Sequence, residues 1–102
     1  MSKEIFETAK SYALDIEEAW QNGELIDYIN DNALDIEYTI SSNMDFLGAE
    51  IAVALGGPSV YINTRDKRVE AYWGGEQAYY LLDSDLCNEL DELFEDMYQS
   101  AR

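Results

Sequence analysis

Leu34-Asp35-Ile36-Glu37-Tyr38-Thr39-Ile40 alternates apolar and polar residues without interruption. That is the period of a strand with one buried and one wet face. Downstream the period returns four times. Glu50 to Leu55 sets Ile51, Val53 and Leu55 between small Ala52 and Ala54, and Ser59 to Thr64 follows the turn signal Gly56-Gly57-Pro58. Arg65-Asp66-Lys67 leads into Arg68 to Trp73, and Gly74-Gly75 leads into Gln77 to Leu82. Connections this short join antiparallel neighbours, since parallel strands need a long crossover. The stretch predicts an antiparallel meander of four or five strands.

Outside the meander the period is helical. Ile5, Ala9, Tyr12, Ala13, Ile16, Ala19 and Trp20 recur at steps of three and four after a candidate cap at Ser2, and Gly23 offers a stop. A short helix from Glu24 to Asp31 is expected to turn Leu25, Ile26 and Ile29 inward. Beyond the meander, Asp83 or Ser84 caps a helix with the stripe Leu86, Leu90, Leu93, Phe94 and Met97. Both kinds of stripe are buried most simply when the helices cover one face of the sheet. With no repeat or linker in sight, residues 1–102 read as one α+β domain.

Charge is the outlier. The chain has 102 residues with 22 acidic and 6 basic side chains, a net charge of −16. Such a surface argues against direct binding of nucleic acid, which rests on Lys and Arg, and against anionic lipid. No run approaches the roughly 18 apolar residues of a membrane span, and the residues after Met1 lack a signal-peptide core. One cysteine, Cys87, leaves no internal disulfide and suits an intracellular setting. The sequence contains no histidine, so a His-based triad and a zinc site are excluded.

The cations sit at Lys3, Lys10, Arg65, Lys67, Arg68 and Arg102. From Ser11 to Thr64 there are ten carboxylates and no cation, and from Val69 to Ala101 nine and again none. Like charges at helical spacing oppose folding by a few tenths of a kcal/mol per pair, so stability does not explain the pattern. Asp85, Glu89, Glu92 and Asp96 share one face of the terminal helix, with Asp91 and Glu95 beside them. The row advances ~5 Å per carboxylate, against ~3.4 Å per phosphate on a duplex strand. A second patch gathers Asp27, Asp31, Asp35 and Glu37. The competing readings are a solvated face that confers solubility and adaptation to high salt.

Strand parity places Tyr61 and Tyr72, with Tyr80, on the sheet face away from the helices, beside Glu70. Aromatic plus acid suits an arginine-bearing partner or a homodimer contact, while cross-strand packing alone accounts for a tyrosine face too. Motifs of catalysis and ligand binding are missing from the sequence. Asp83-Ser84-Asp85 reads as a cap, Asp27 to Glu37 lacks the order of a calcium loop, and Gly56-Gly57-Pro58 is followed by no phosphate-loop lysine. Cys87 has core spacing and no base to activate it. No catalytic residue, metal or cofactor is expected.

The stretch Gly56-Gly57-Pro58-Ser59-Val60-Tyr61-Ile62-Asn63-Thr64, then Val69-Glu70-Ala71-Tyr72-Trp73-Gly74 and an acidic terminal helix, resembles small acidic proteins carried on phages and mobile elements of Gram-positive bacteria. In size and charge the chain also resembles anti-CRISPR and antirestriction inhibitors, several of them compact α+β DNA mimics. That second likeness rests on no motif, so it assigns no residue a role. The resemblance implies an inhibitor in the cytoplasm of a bacterial host. Its partner would be a basic nucleic-acid-binding protein, such as a Cas9-type nuclease or a restriction enzyme.

Overall fold

The computed structural model describes residues 2–101, with side chains for residues 4–100. Its elements are α1 (Ser2–Gln21), α2 (Leu25–Asn32), β1 (Asp35–Ile40), β2 (Phe46–Ala54), β3 (Ser59–Asn63), β4 (Arg68–Trp73), β5 (Glu76–Leu81) and α3 (Ser84–Ala101). The strands form one antiparallel meander in the order β1-β2-β3-β4-β5. The expected α+β plan is therefore present, with the fifth strand included.

Helix α1 lies over β4 and β5, and α3 packs on β2. Between them and the sheet sit Ile5, Ala9, Ala13 and Ile16 from α1, Leu86, Leu90 and Phe94 from α3, and Ile51, Val60, Ile62 and Val69 from the strands. The smallest dimension of the molecule is 22 Å, which holds one helix layer and one sheet, each ~10 Å thick. Among the described residues, no helix covers the second sheet face.

Local chemistry explains the element ends. Gly23, at φ +73°, follows α1 in the left-handed conformation that glycine adopts without steric cost. The Ser2 cap expected from the sequence rests on a side chain outside the described residues. At α3 the cap is Asp83, whose Oδ1 accepts the amides of Asp85 at 2.8 Å and Leu86 at 3.4 Å. The far half of α3 docks through rings: Tyr38 lies 5.9 Å from Phe46 and 5.8 Å from Tyr98, while Tyr98 Oη donates to the Met44 carbonyl at 3.1 Å.

Several expected core positions are corrected. Ile26 is 59 % exposed, because the eight residues of α2 bury only Leu25 and Ile29 against their neighbours. Tyr98 takes the inward place expected of Met97, whose side chain is exposed. Leu34 and Leu55 lie beyond the ends of β1 and β2 and are exposed, and Ile40 follows a register shift at the end of β1. Strand β2 begins at Phe46, four residues before the expected start. There Gly48 is required, since a Cβ would stand 2.8 Å from Cβ of Arg65.

Candidate interaction surfaces

Two surfaces gather the candidate residues. On α3, Asp85, Glu89, Glu92 and Asp96 all project into solvent, as their spacing requires. Helix α2 stands beside that ridge and contributes Asp27. Between them runs a groove of about 730 Å³, with Asp27, Glu89, Glu92 and Asp96 on its walls and Trp20, Leu25, Ile26 and Leu93 among its apolar residues. No Lys or Arg lines it among the described residues. Among the described residues, no hydrogen bond or ion pair engages the carboxylates of Glu89, Glu92 or Asp96. They face water.

The other carboxylates of α3 are placed differently. Glu95 is exposed on the flank away from the groove. Asp91 is half-buried and turned to the sheet, where it accepts the hydroxyl proton of buried Thr64 at 2.5 Å. Thr64 Oγ1 in turn accepts the Ala49 amide at 2.9 Å. Asp91 thus ties α3 to β2 and to the end of β3, with its Oδ1 engaged inside the chain.

The second patch of the sequence is divided by the fold. Asp27 and Asp31 stay on α2, where Asp31 lines a separate hollow with Glu24 and Tyr28. The Tyr28 hydroxyl is pushed up to about 12 by burial, then by the charge of Asp15 and by Tyr12. Asp35 and Glu37 instead belong to the uncovered sheet face. Register aligns Asp35, Ala52, Tyr61, Glu70 and Tyr79 across the five strands, and Glu37, Glu50, Asn63, Arg68 and Leu81 in the adjoining row. Residues directly opposite share a face, so both rows point away from the helices. Tyr61, Tyr72, Glu70, Asp35 and Glu37 are accordingly brought onto one surface.

Glu70 organises that surface from within. Only 4 % exposed, it accepts hydrogen bonds from Arg68 Nε at 2.8 Å, Tyr72 Oη at 2.9 Å and Asn63 Nδ2 at 3.2 Å. The Arg68 guanidinium also lies 3.8 Å above the centre of the Tyr79 ring and 3.7 Å from Asp66. Glu70, expected to face a partner, is instead enclosed by its own strand neighbours. Burial, and then the bond to Glu70, pushes the Tyr72 hydroxyl well above the usual tyrosine range. Tyr61 meets Tyr72 edge-on with ring centres 5.9 Å apart. Beside them, Glu37, Glu50, Asn63, Arg65 and Asp66 surround a hollow of about 410 Å³. Partial burial there raises the Glu50 carboxyl above 4.5, with the charges of Glu70, Glu37 and Asp66 adding to it.

Tyr80 is corrected to the helix side, where it meets the Phe6 ring at 5.8 Å, and Tyr79 takes the open face. Trp73 and Glu76 flank a two-residue Gly74-Gly75 turn, so counting back from Glu70 through that hairpin would have found Tyr79. The apolar groove residues on α1 and α2 carried no such signal, because their convergence with α3 is tertiary. Cys87 is fully buried, and burial pushes its thiol up to about 11, with the Asp91 charge second. Among the described residues no cluster of three or more Cys, Asp or Glu side chains is arranged to hold a metal ion. No described helix is long and apolar enough to cross a membrane. No family model, curated protein or solved structure matches the chain.

Proposed function

We propose that the chain is a non-enzymatic inhibitor that stands in for nucleic acid and occupies the basic site of a bacterial defence nuclease, of the CRISPR or restriction type. The observation that carries this reading is the α2–α3 groove, whose walls present Asp27, Glu89, Glu92 and Asp96 with no Lys or Arg among its described lining residues. A cleft built for phosphates holds Lys and Arg at the spacing of a charged lattice. Glu89, Glu92 and Asp96 recur every ~5 Å along the helix, and flexible side chains on both partners accommodate the difference from a ~3.4 Å phosphate step. Apolar Ile26 and Leu93 between the acidic walls add contact area that phosphates lack. Such a ligand gains affinity from shape as well as charge.

The test is affinity capture from nuclease-treated bacterial lysate with the full chain as bait, eluted with duplex DNA or with RNA. The reading expects a basic nucleic-acid enzyme that either competitor elutes. Glu89→Lys, Glu92→Lys and Asp96→Lys together should abolish capture while the far-ultraviolet circular dichroism stays unchanged. Retention of full capture by that folded triple variant would remove the groove from consideration.

A second reading is favoured by Tyr61, Tyr72 and Tyr79 on a sheet face that no helix covers. That face would dock a protein partner through its aromatic rings, with Glu37 and Glu50 alongside for arginine. Tyr61→Ala and Tyr72→Ala would then destroy association, and salt would have little effect on it.

A further inference from the structure

We infer that two copies of this chain associate through their β5 edges, in antiparallel register centred on Tyr79, to give one continuous ten-stranded sheet. This inference is independent of the inhibitor reading. It starts from which backbone groups of β5 the sheet leaves open. Trp73 and Glu76 close the Gly74-Gly75 turn, and the Leu82 amide donates to the Lys67 carbonyl at 2.9 Å. Backbone groups alternate in direction along a strand. Glu76, Ala78, Tyr80 and Leu82 therefore point at β4, and Gln77, Tyr79 and Leu81 present their N–H and C=O outward. Among the described residues, no hydrogen bond reaches those outward groups.

An open edge of this kind invites a further strand unless charge, proline or a bulge protects it. Edge β5 has no proline and pairs with β4 without a register shift, and its one carboxylate, Glu76, lies at the turn end of Glu-Gln-Ala-Tyr-Tyr-Leu. Leu81 is 74 % exposed on it and Tyr79 38 %. The opposite edge, β1, is defended. Its open-face side chains include Asp35 and Glu37, and self-pairing centred there would set Glu37 against the partner's Glu37.

The edge is self-complementary for a second copy, and its charge permits this in one register. A two-fold axis normal to the sheet keeps the helices of both copies on the same side and pairs residues of equal parity. With the axis at Tyr79, each Tyr79 exchanges both backbone bonds with the partner's Tyr79, and Gln77 does so with the partner's Leu81. All three outward residues of each copy are then paired. Glu76 faces the partner's Leu82, six residues from the partner's Glu76, or ~20 Å along the strand. That is beyond the ~8 Å screening length at physiological salt. In a molecule of net charge −16, this edge meets itself without opposing carboxylates. Arg68, stacked on Tyr79, is already paired with Glu70 and brings no uncompensated cation to the axis.

Sedimentation equilibrium of the full chain over a concentration series, at low and high salt, tests the inference alongside amide hydrogen exchange. The expected result is a rise from 11.7 kDa to twice that mass with increasing protein. Added salt should favour the dimer, because it screens two like-charged bodies. Salt should weaken capture of a basic partner, so the two readings fail separately. The amides of Gln77, Tyr79 and Leu81 should gain protection with protein concentration, and those of β1 should not. Tyr79→Pro removes an outward N–H that no ladder bond uses and should hold the chain at 11.7 kDa. Leu81→Glu, at a position the monomer leaves in water, should do the same and serves if the proline variant does not fold. A wild-type chain that stays monomeric at every concentration and salt would overturn the inference, as would a dimer whose β5 amides remain unprotected.

Discussion

The carboxylates of the α3 ridge and the carboxylate of Glu70 are the same chemical group with opposite circumstances. Glu89, Glu92 and Asp96 stand in water around a groove that no cation lines among the described residues. Glu70 is enclosed beneath the open sheet face with three hydrogen-bond donors around it. Net charge alone cannot distinguish them. A carboxylate left charged and exposed is available to a cationic partner, whereas one that is buried and satisfied holds its own fold together. The difference separates an exposed acidic surface on the helices from a structural anchor in the sheet.

That contrast is broken most forcefully at Glu70. Glu70→Ala strands Arg68, Tyr72 and Asn63 without their acceptor and should cost roughly 2–4 kcal/mol in urea unfolding. Within α3 the contrast sharpens at Asp91, the one acid of that helix bonded to the sheet. Thr64→Val keeps the side-chain shape but leaves the Ala49 amide and the Asp91 carboxylate unpaired, for a loss of about 2 kcal/mol by the same measurement. Gly48→Ala forces β2 away from Arg65 beside the acidic hollow and should cost about 1 kcal/mol, with the chemical-shift changes confined to β2 and the β3–β4 turn.

Glu50 is the intermediate case, and its effect is the smallest. Its folded carboxyl titrates above the ordinary 4.5, so the folded state binds the proton more tightly than the unfolded chain. Stability from this group is therefore fully present below 4.5 and is lost as the pH rises through the folded value. Glu50→Gln should be slightly more stable than wild type at neutral pH. The two should converge as the pH falls into the ordinary glutamate range, which thermal unfolding across that window would show.

The amphipathic periods were plain in the sequence wherever one element buries one face. Arg68–Trp73 kept its expected bounds because a charged turn precedes it and Gly74-Gly75 follows. The start of β2 was hidden because Gly48 carries no side chain to mark a face, and the fold uses it as a point of close approach to Arg65. On α2 and late α3, spacing admitted both Ile26 and Leu25, and both Met97 and Tyr98. Packing decided, since Tyr98 joins the rings of Tyr38 and Phe46 while Met97 has no comparable partner. The α3 ridge was legible because helical geometry fixes it locally. Glu70 was not, because its burial depends on Arg68 and Tyr72 two residues away on β4 and on Asn63 across the β3–β4 pair. The union of Asp27 with Glu89, and the separation of Asp27 from Asp35, are likewise products of the tertiary fold.

The most direct test is the salt and competitor dependence of capture by the wild-type chain against the folded Glu89→Lys, Glu92→Lys, Asp96→Lys variant. The account predicts one basic nucleic-acid enzyme on the wild type, released by DNA or RNA and by rising salt, and nothing on the variant. Equal capture by the two chains, or a captured partner indifferent to nucleic acid, would contradict it.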